Sequence, residues 1–115
     1  MSFENIEACL AEIENRYNKN EKVRKKLVNY DEPIQISFLD SNRSVQILIN
    51  KNQGIQINDN TTDDNAPIKI EFSSERIMLD LFNKELGAVK AYSTGNIKIV
   101  EGKIRNLMKL KSLMF

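Results

Sequence analysis

The sequence predicts an α+β domain, and three observations in its 115 residues carry the prediction. Apolar residues first recur every three or four positions, as on a helix. From Ile34 they recur at every second position, as on a strand, and after Phe72 helical and strand-like stretches alternate. A chain of this length buries one real core and is too short for two, so 1–115 is read as a single domain, with a helical part over 1–30 and a sheet with apolar helices over 34–115.

The first helix is expected to carry Phe3, Ile6, Leu10, Ile13 and Tyr17 along a narrow seam, with Ser2 as its cap and Glu4 favourably placed in its first turn. Residues 18–20 break the pattern. A second helix follows over 21–28, with Val23 and Leu27 inward and Lys22, Arg24, Lys25 and Lys26 outward, ending before the turn chemistry of 29–33.

Three short antiparallel strands come next, built on Ile34, Ile36 and Phe38, then Val45, Ile47 and Ile49, then Ile55 and Ile57. The connectors 40–43 and 51–54 are turn-rich and of hairpin length, so neighbouring strands are expected to pair and to leave one face apolar and one polar. A polar loop over 58–65 leads to a fourth strand with Ile68, Ile70 and Phe72.

Ser73 and Ser74 can cap the helix beyond, where Ile77, Met78, Leu81, Phe82 and Leu86 recur at i, i+1, i+4, i+5 and i+9 and Leu79 widens the apolar face. Gly87 is the expected stop. Ala88, Val89, Ala91 and Tyr92 suggest another helical stretch before Gly95, and Ile97 and Ile99 make a fifth strand. Gly102 then releases a helix from about Lys103, on which Ile104, Leu107, Met108, Leu110, Leu113, Met114 and Phe115 leave only a polar strip of Lys103, Arg105, Lys109 and Lys111.

Composition removes several function classes. A formal charge of +1 provides no long-range field for nucleic acid, and the strand order differs from the common RNA-reading sheets, so no nucleic acid is expected as a partner. The chain has no histidine, which removes the usual general base and nucleophile activator. Its single cysteine, Cys9, lies beside Ile6, Leu10 and Ile13 and reads as a buried, inert thiol. Asp59, Asp63 and Asp64 lack the glycine and the closing glutamate of a calcium loop, and the four glycines are too dispersed to cradle a phosphate. No metal, no cofactor and no catalytic residue is therefore expected. The start Met1-Ser2-Phe3-Glu4 lacks a basic and then apolar leader, and no apolar run of membrane-spanning length exists, so a cytoplasmic location is expected.

The order of elements, together with Ala91-Tyr92-Ser93-Thr94-Gly95 running into Ile97-Lys98-Ile99, then Gly102, Leu107-Met108-Lys109-Leu110 and Leu113, resembles the sterol carrier protein type-2 domain family over 34–113. The resemblance implies a five-stranded, mostly antiparallel sheet covered on one face by helices, enclosing a hydrophobic tunnel for sterols, fatty acids, acyl-coenzyme A or phospholipids. The chain departs from the family pattern at Asn83-Lys84, at Gly87-Ala88 and in the longer spacing from Gly95 to Gly102.

The residues support a lipid site on physical grounds too. Burying a methylene contributes about 0.8 kcal/mol, so a long acyl chain offers roughly 10 kcal/mol before ordering costs. Flexible Met78, Met108 and Met114 suit a cavity that tolerates several lipids. The candidate ligand-binding residues are Ile77, Met78, Leu81, Phe82, Val89, Tyr92, Leu107, Met108, Met114 and Phe115. Those residues at that spacing also make an ordinary closed core, and both arrangements remain open at the level of sequence.

The expected function is non-catalytic binding of a lipid-like ligand, sterol, fatty acid, acyl-coenzyme A or isoprenoid, with carriage or presentation to an enzyme. The alternative is a protein-interaction or accessory module of a lipid- or quinone-modifying complex, whose last helix docks on a partner or on a second copy to make a dimer. The two basic clusters, Lys22 to Lys26 and Lys103 to Lys111, suit transient contact with an anionic membrane or a lipid headgroup, and equally a solvated helix face.

Overall fold

The computed structural model describes residues 2–28, 30–50 and 52–114, with the side chains of 104, 106 and 107 outside that description. The amino-terminal seam forms α1 (Ile6–Lys19) and α2 (Glu21–Lys26). The alternating stretches form β1 (Ile34–Phe38), β2 (Arg43–Asn50), β3 (Gly54–Asp59), β4 (Ile68–Phe72) and β5 (Ile97–Glu101), with α3 (Glu75–Phe82) and α4 (Ala88–Ser93) between the last two strands. Two short helices, α5 (Ile104–Lys109) and α6 (Lys111–Met114), follow β5.

The strands make a five-stranded sheet in the order β3-β2-β1-β4-β5. Every junction is antiparallel except that of β1 with β4, which is parallel and sets Ile34 opposite Ile68, Ile36 opposite Ile70 and Phe38 opposite Phe72. The α+β class and the mostly antiparallel sheet expected from the sequence are therefore present. Residues of period two reach one face together: Ile34, Ile36, Phe38, Val45, Ile47, Ile68, Ile70 and Phe72 are all buried there with α1 and α3. Each such side chain contributes about 1.5–3 kcal/mol by leaving water.

A parallel junction requires the chain to cross back over the sheet, and 60–67 makes that return. Gln35 holds it. Its Nε2 donates to the carbonyls of Val45 at 3.2 Å and Thr61 at 3.4 Å, while its Oε1 accepts from the Asp63 N–H. The sequence places Gln35 on a polar face, yet it is 4% exposed, the one buried polar residue among those described, because the returning segment covers the centre of β1.

Several boundaries differ from the expected ones, each for a local reason. α1 is capped by Asn5, whose Oδ1 accepts from Ala8 N–H at 2.8 Å, and not by Ser2. Phe3 precedes the helix because Asn83 pairs with its backbone in both directions, at 2.6 and 2.9 Å, and its ring meets Phe82 edge-on at 5.5 Å. α1 runs on to Lys19, and Asn20 both ends it and caps α2. α3 is capped by Ser74 as expected, but it stops at Phe82 and not at Gly87; Lys84 takes the left-handed turn with φ 63° and Gly87 opens α4. The single expected carboxy-terminal helix is two, divided at Leu110, whose carbonyl accepts from both Leu113 and Met114 N–H at 3.0 and 3.1 Å. Glycine is required at Gly102, where φ is +106° and an added Cβ would sit 3.4 Å from Ile68.

Candidate functional site

Met78, Leu81, Phe82 and Met114 enter one apolar cluster together with Leu110 and Leu113, and Ile77 packs on its margin. Four candidate tunnel residues are thus packed core in this structure. Val89, Tyr92 and Met108 lie outside that core, exposed to 83%, 43% and 67%. Phe115 lies outside the described residues, as does the side chain of Leu107. The break at Leu110 explains Met108: it turns α6 so that Leu110, Leu113 and Met114 point inward while Met108 stays on the outer side of α5.

The junction of these helices is tied by Arg16, a residue with no marked role in the sequence pattern. Its Nη1 donates to the Leu113 carbonyl at 3.0 Å, its Nε to Glu12 at 3.2 Å, and its guanidinium stands 4.8 Å above the Phe82 ring. Carbonyls in a helix's last turn have no partner within the helix, so this bond meets a need of α6 and joins it to α1 and α3.

Around Arg16 opens a cleft of about 760 Å³, walled by α1, α2, the turn after α3 and the α5–α6 pair. Six of its lining residues are cationic: Arg16, Lys26, Lys84, Arg105, Lys109 and Lys111. Among the described residues Met108 and Ser112 complete the lining. The structure thus joins parts of the two basic clusters and separates the rest. Arg24 turns away to the Tyr17 and Asn18 carbonyls, Lys25 faces Glu21 at 3.5 Å, and Lys22 lines a different groove. Arg16 and Lys84 join the cleft because the fold brings α1 and the α3 turn to it; at the level of sequence neither is near a basic run.

Glu12 pairs with Arg16 at the cleft, while Glu7, Asp59 and Glu75 are engaged elsewhere. Arg43 receives Asp59 at 2.6 and 3.0 Å, Glu7 at 2.6 Å and Glu75 at 3.4 Å, which ties β2 and β3 to α1 and α3. Hydrogen bonds from the Arg43 guanidinium hold the carboxyls of Glu7 and Asp59 below their ordinary range. Asp63 accepts from Gln46 at 3.0 Å and from Asn65 N–H at 3.1 Å. Among the described residues no three potential ligands gather around a metal position. Burial pushes the Cys9 thiol up to about 11, so it is a thiol at neutral pH and a poor nucleophile. No helix among the described residues is long and apolar enough to cross a membrane.

No protein-family model matches the chain. No curated protein matches its sequence either. Solved structures do match in fold. The chain superposes on palmitated SCP2L2 from Aedes aegypti with a TM-score of 0.73 and 12% identity, over 97% of this chain and 96% of that one. On the UbiJ-SCP2 ubiquinone synthesis protein the TM-score is 0.69 with 8% identity, over 90% and 87% of the two chains. A mutant of the sec-alkylsulfatase PisA1 contains a similar unit, with a TM-score of 0.67 and 14% identity over 78% of this chain, which spans only 14% of the sulfatase. The sheet order, the helix layer and these near full-length superpositions together identify the architecture: the chain has the fold of the sterol carrier protein 2 domains.

Proposed function

We propose that this domain binds one lipid-like ligand without covalent chemistry and carries it or presents it to an enzyme. The observation that carries the reading is the cleft over α5 and α6, where exposed Met108 stands among cations, one of which, Arg16, lies over the ring of Phe82 in the apolar cluster of Met78, Leu81, Phe82 and Met114. The proposed apolar wall is Ile77, Met78, Leu81, Phe82 and Met114, with Met108 at the entry. A ligand that reaches this wall must displace Leu110, Leu113 and Met114, which are fully buried in the same cluster, so the burial of its acyl chain has to outweigh the loss of theirs. The shared fold with a palmitated protein supports the same reading.

Titration of delipidated protein with a fluorescent fatty acid, then competition with acyl chains, acyl-coenzyme A and isoprenoid lipids, tests it. Saturable one-to-one binding is expected. Met108→Glu, at an exposed position, is expected to leave the fold intact and weaken binding roughly tenfold, as expected for placing a charge beside an acyl chain. Unchanged affinity in that variant would remove Met108 from the entry.

A second reading is favoured by Val89 and Tyr92, which stand exposed three residues apart on α4. Together with the likeness to a ubiquinone synthesis protein, they suit an accessory module of a lipid- or quinone-modifying complex. Its dimeric form cannot use Met114, which is already buried within its own chain. Light scattering after size exclusion separates a monomer from that dimer.

A further inference from the structure

We infer that the cationic cleft is a binding site for a phosphate-bearing group, and that it selects ligands by their charged end. This rests on the lipid-binding reading and adds a ligand class to it.

The geometry carries the inference. Lys26 comes from α2, while Arg105, Lys109 and Lys111 come from the far end of the chain, and the fold brings them to one concavity. All four are exposed, and among the described residues none has a carboxylate partner. The whole chain has a formal charge of only +1, so this gathering leaves the remainder net acidic. Like charges repel, and a concave wall concentrates their field on whatever enters. A carboxylate would be satisfied by one or two of these cations; a phosphate, with more charge and three oxygens spread tetrahedrally, accepts from several directions at once. Met108 on the same wall offers apolar contact beside the cations, which suits an amphiphile.

Calorimetric titration at about 0.05 M salt, where screening is weak, tests this with decyl phosphate, decanol, pyrophosphate and phosphatidylglycerol vesicles. The wild type is compared with the triple variant Lys26→Gln, Arg105→Gln, Lys109→Gln, whose sites are exposed and whose circular dichroism should match. Decyl phosphate is expected to bind the wild type at least roughly tenfold more tightly than decanol, and the variant to lower that ratio to about twofold with decanol affinity unchanged. Equal wild-type affinities for the two, or a preference that survives in the variant, would overturn the inference and leave the lipid reading standing. Pyrophosphate binding that the variant loses, with neither decyl compound bound, would keep the phosphate site, assign it to a free phosphate ester and overturn the lipid reading. Vesicle binding without binding of decyl phosphate or pyrophosphate would overturn the inference in favour of a membrane surface.

Discussion

Arg43 meets carboxylates from three elements, Glu7 of α1, Asp59 of β3 and Glu75 of α3, so one side chain ties the sheet edge to both long helices. Its hydrogen bonds depress Asp59 below the ordinary value of 3.8. A depressed carboxyl contributes stability that is complete above that value and is lost as pH falls through the folded one. Thermal stability is therefore expected to drop below about pH 4, and Arg43→Met should flatten that drop; equal acid profiles in a melting series would contradict the assignment. Gln35 acts in the same connecting way on the opposite face. Gln35→Ala leaves the Asp63 N–H without its acceptor and should cost about 1–3 kcal/mol by urea unfolding. Neither role was legible in the sequence, where Arg43 is one charge in a turn and Gln35 one polar residue in an alternating strand. Each depends on segments that meet only after folding.

At the scale of elements, period was the reliable signal and ends were not. The alternation of Ile34, Ile36 and Phe38 matches the period of a strand with one buried face, and β1 forms there. Where helices start and stop was decided by distant partners: Asn83 draws Phe3 out of α1, and Arg16 gives α6 its own docking point. The basic residues of α2 and of α5–α6 were visible as two clusters, but their convergence, and the dispersal of Arg24 and Lys25, follow from helix orientation. Arg16→Ala removes a cap and a cation–ring contact, and should loosen α6 by about 1–2 kcal/mol. Hydrogen exchange should then quicken in α5 and α6 and remain unchanged in β1 and β4. Uniform quickening would mean that α6 unfolds only with the whole domain.

Over the whole molecule, the division between core and cleft separates two properties that the sequence pattern had merged. The greasy residues of the last helices split, Leu110, Leu113 and Met114 supplying stability while Met108 stays free for contact. Charge divides as well, with acids drawn to Arg43 at one end of α3 and cations gathered about Arg16 at the other.

The parallel junction of β1 with β4 has a bearing on how the chain reaches this state. Only the β1–β3 meander is closed by nearby residues; β1 meets β4 across the interval from Ile34 to Ile68, and β4 meets β5 across that from Ile70 to Ile99. The meander can form by short loop closure, within microseconds for a hairpin. The two longer pairings close larger loops, so they are expected to set the pace of refolding.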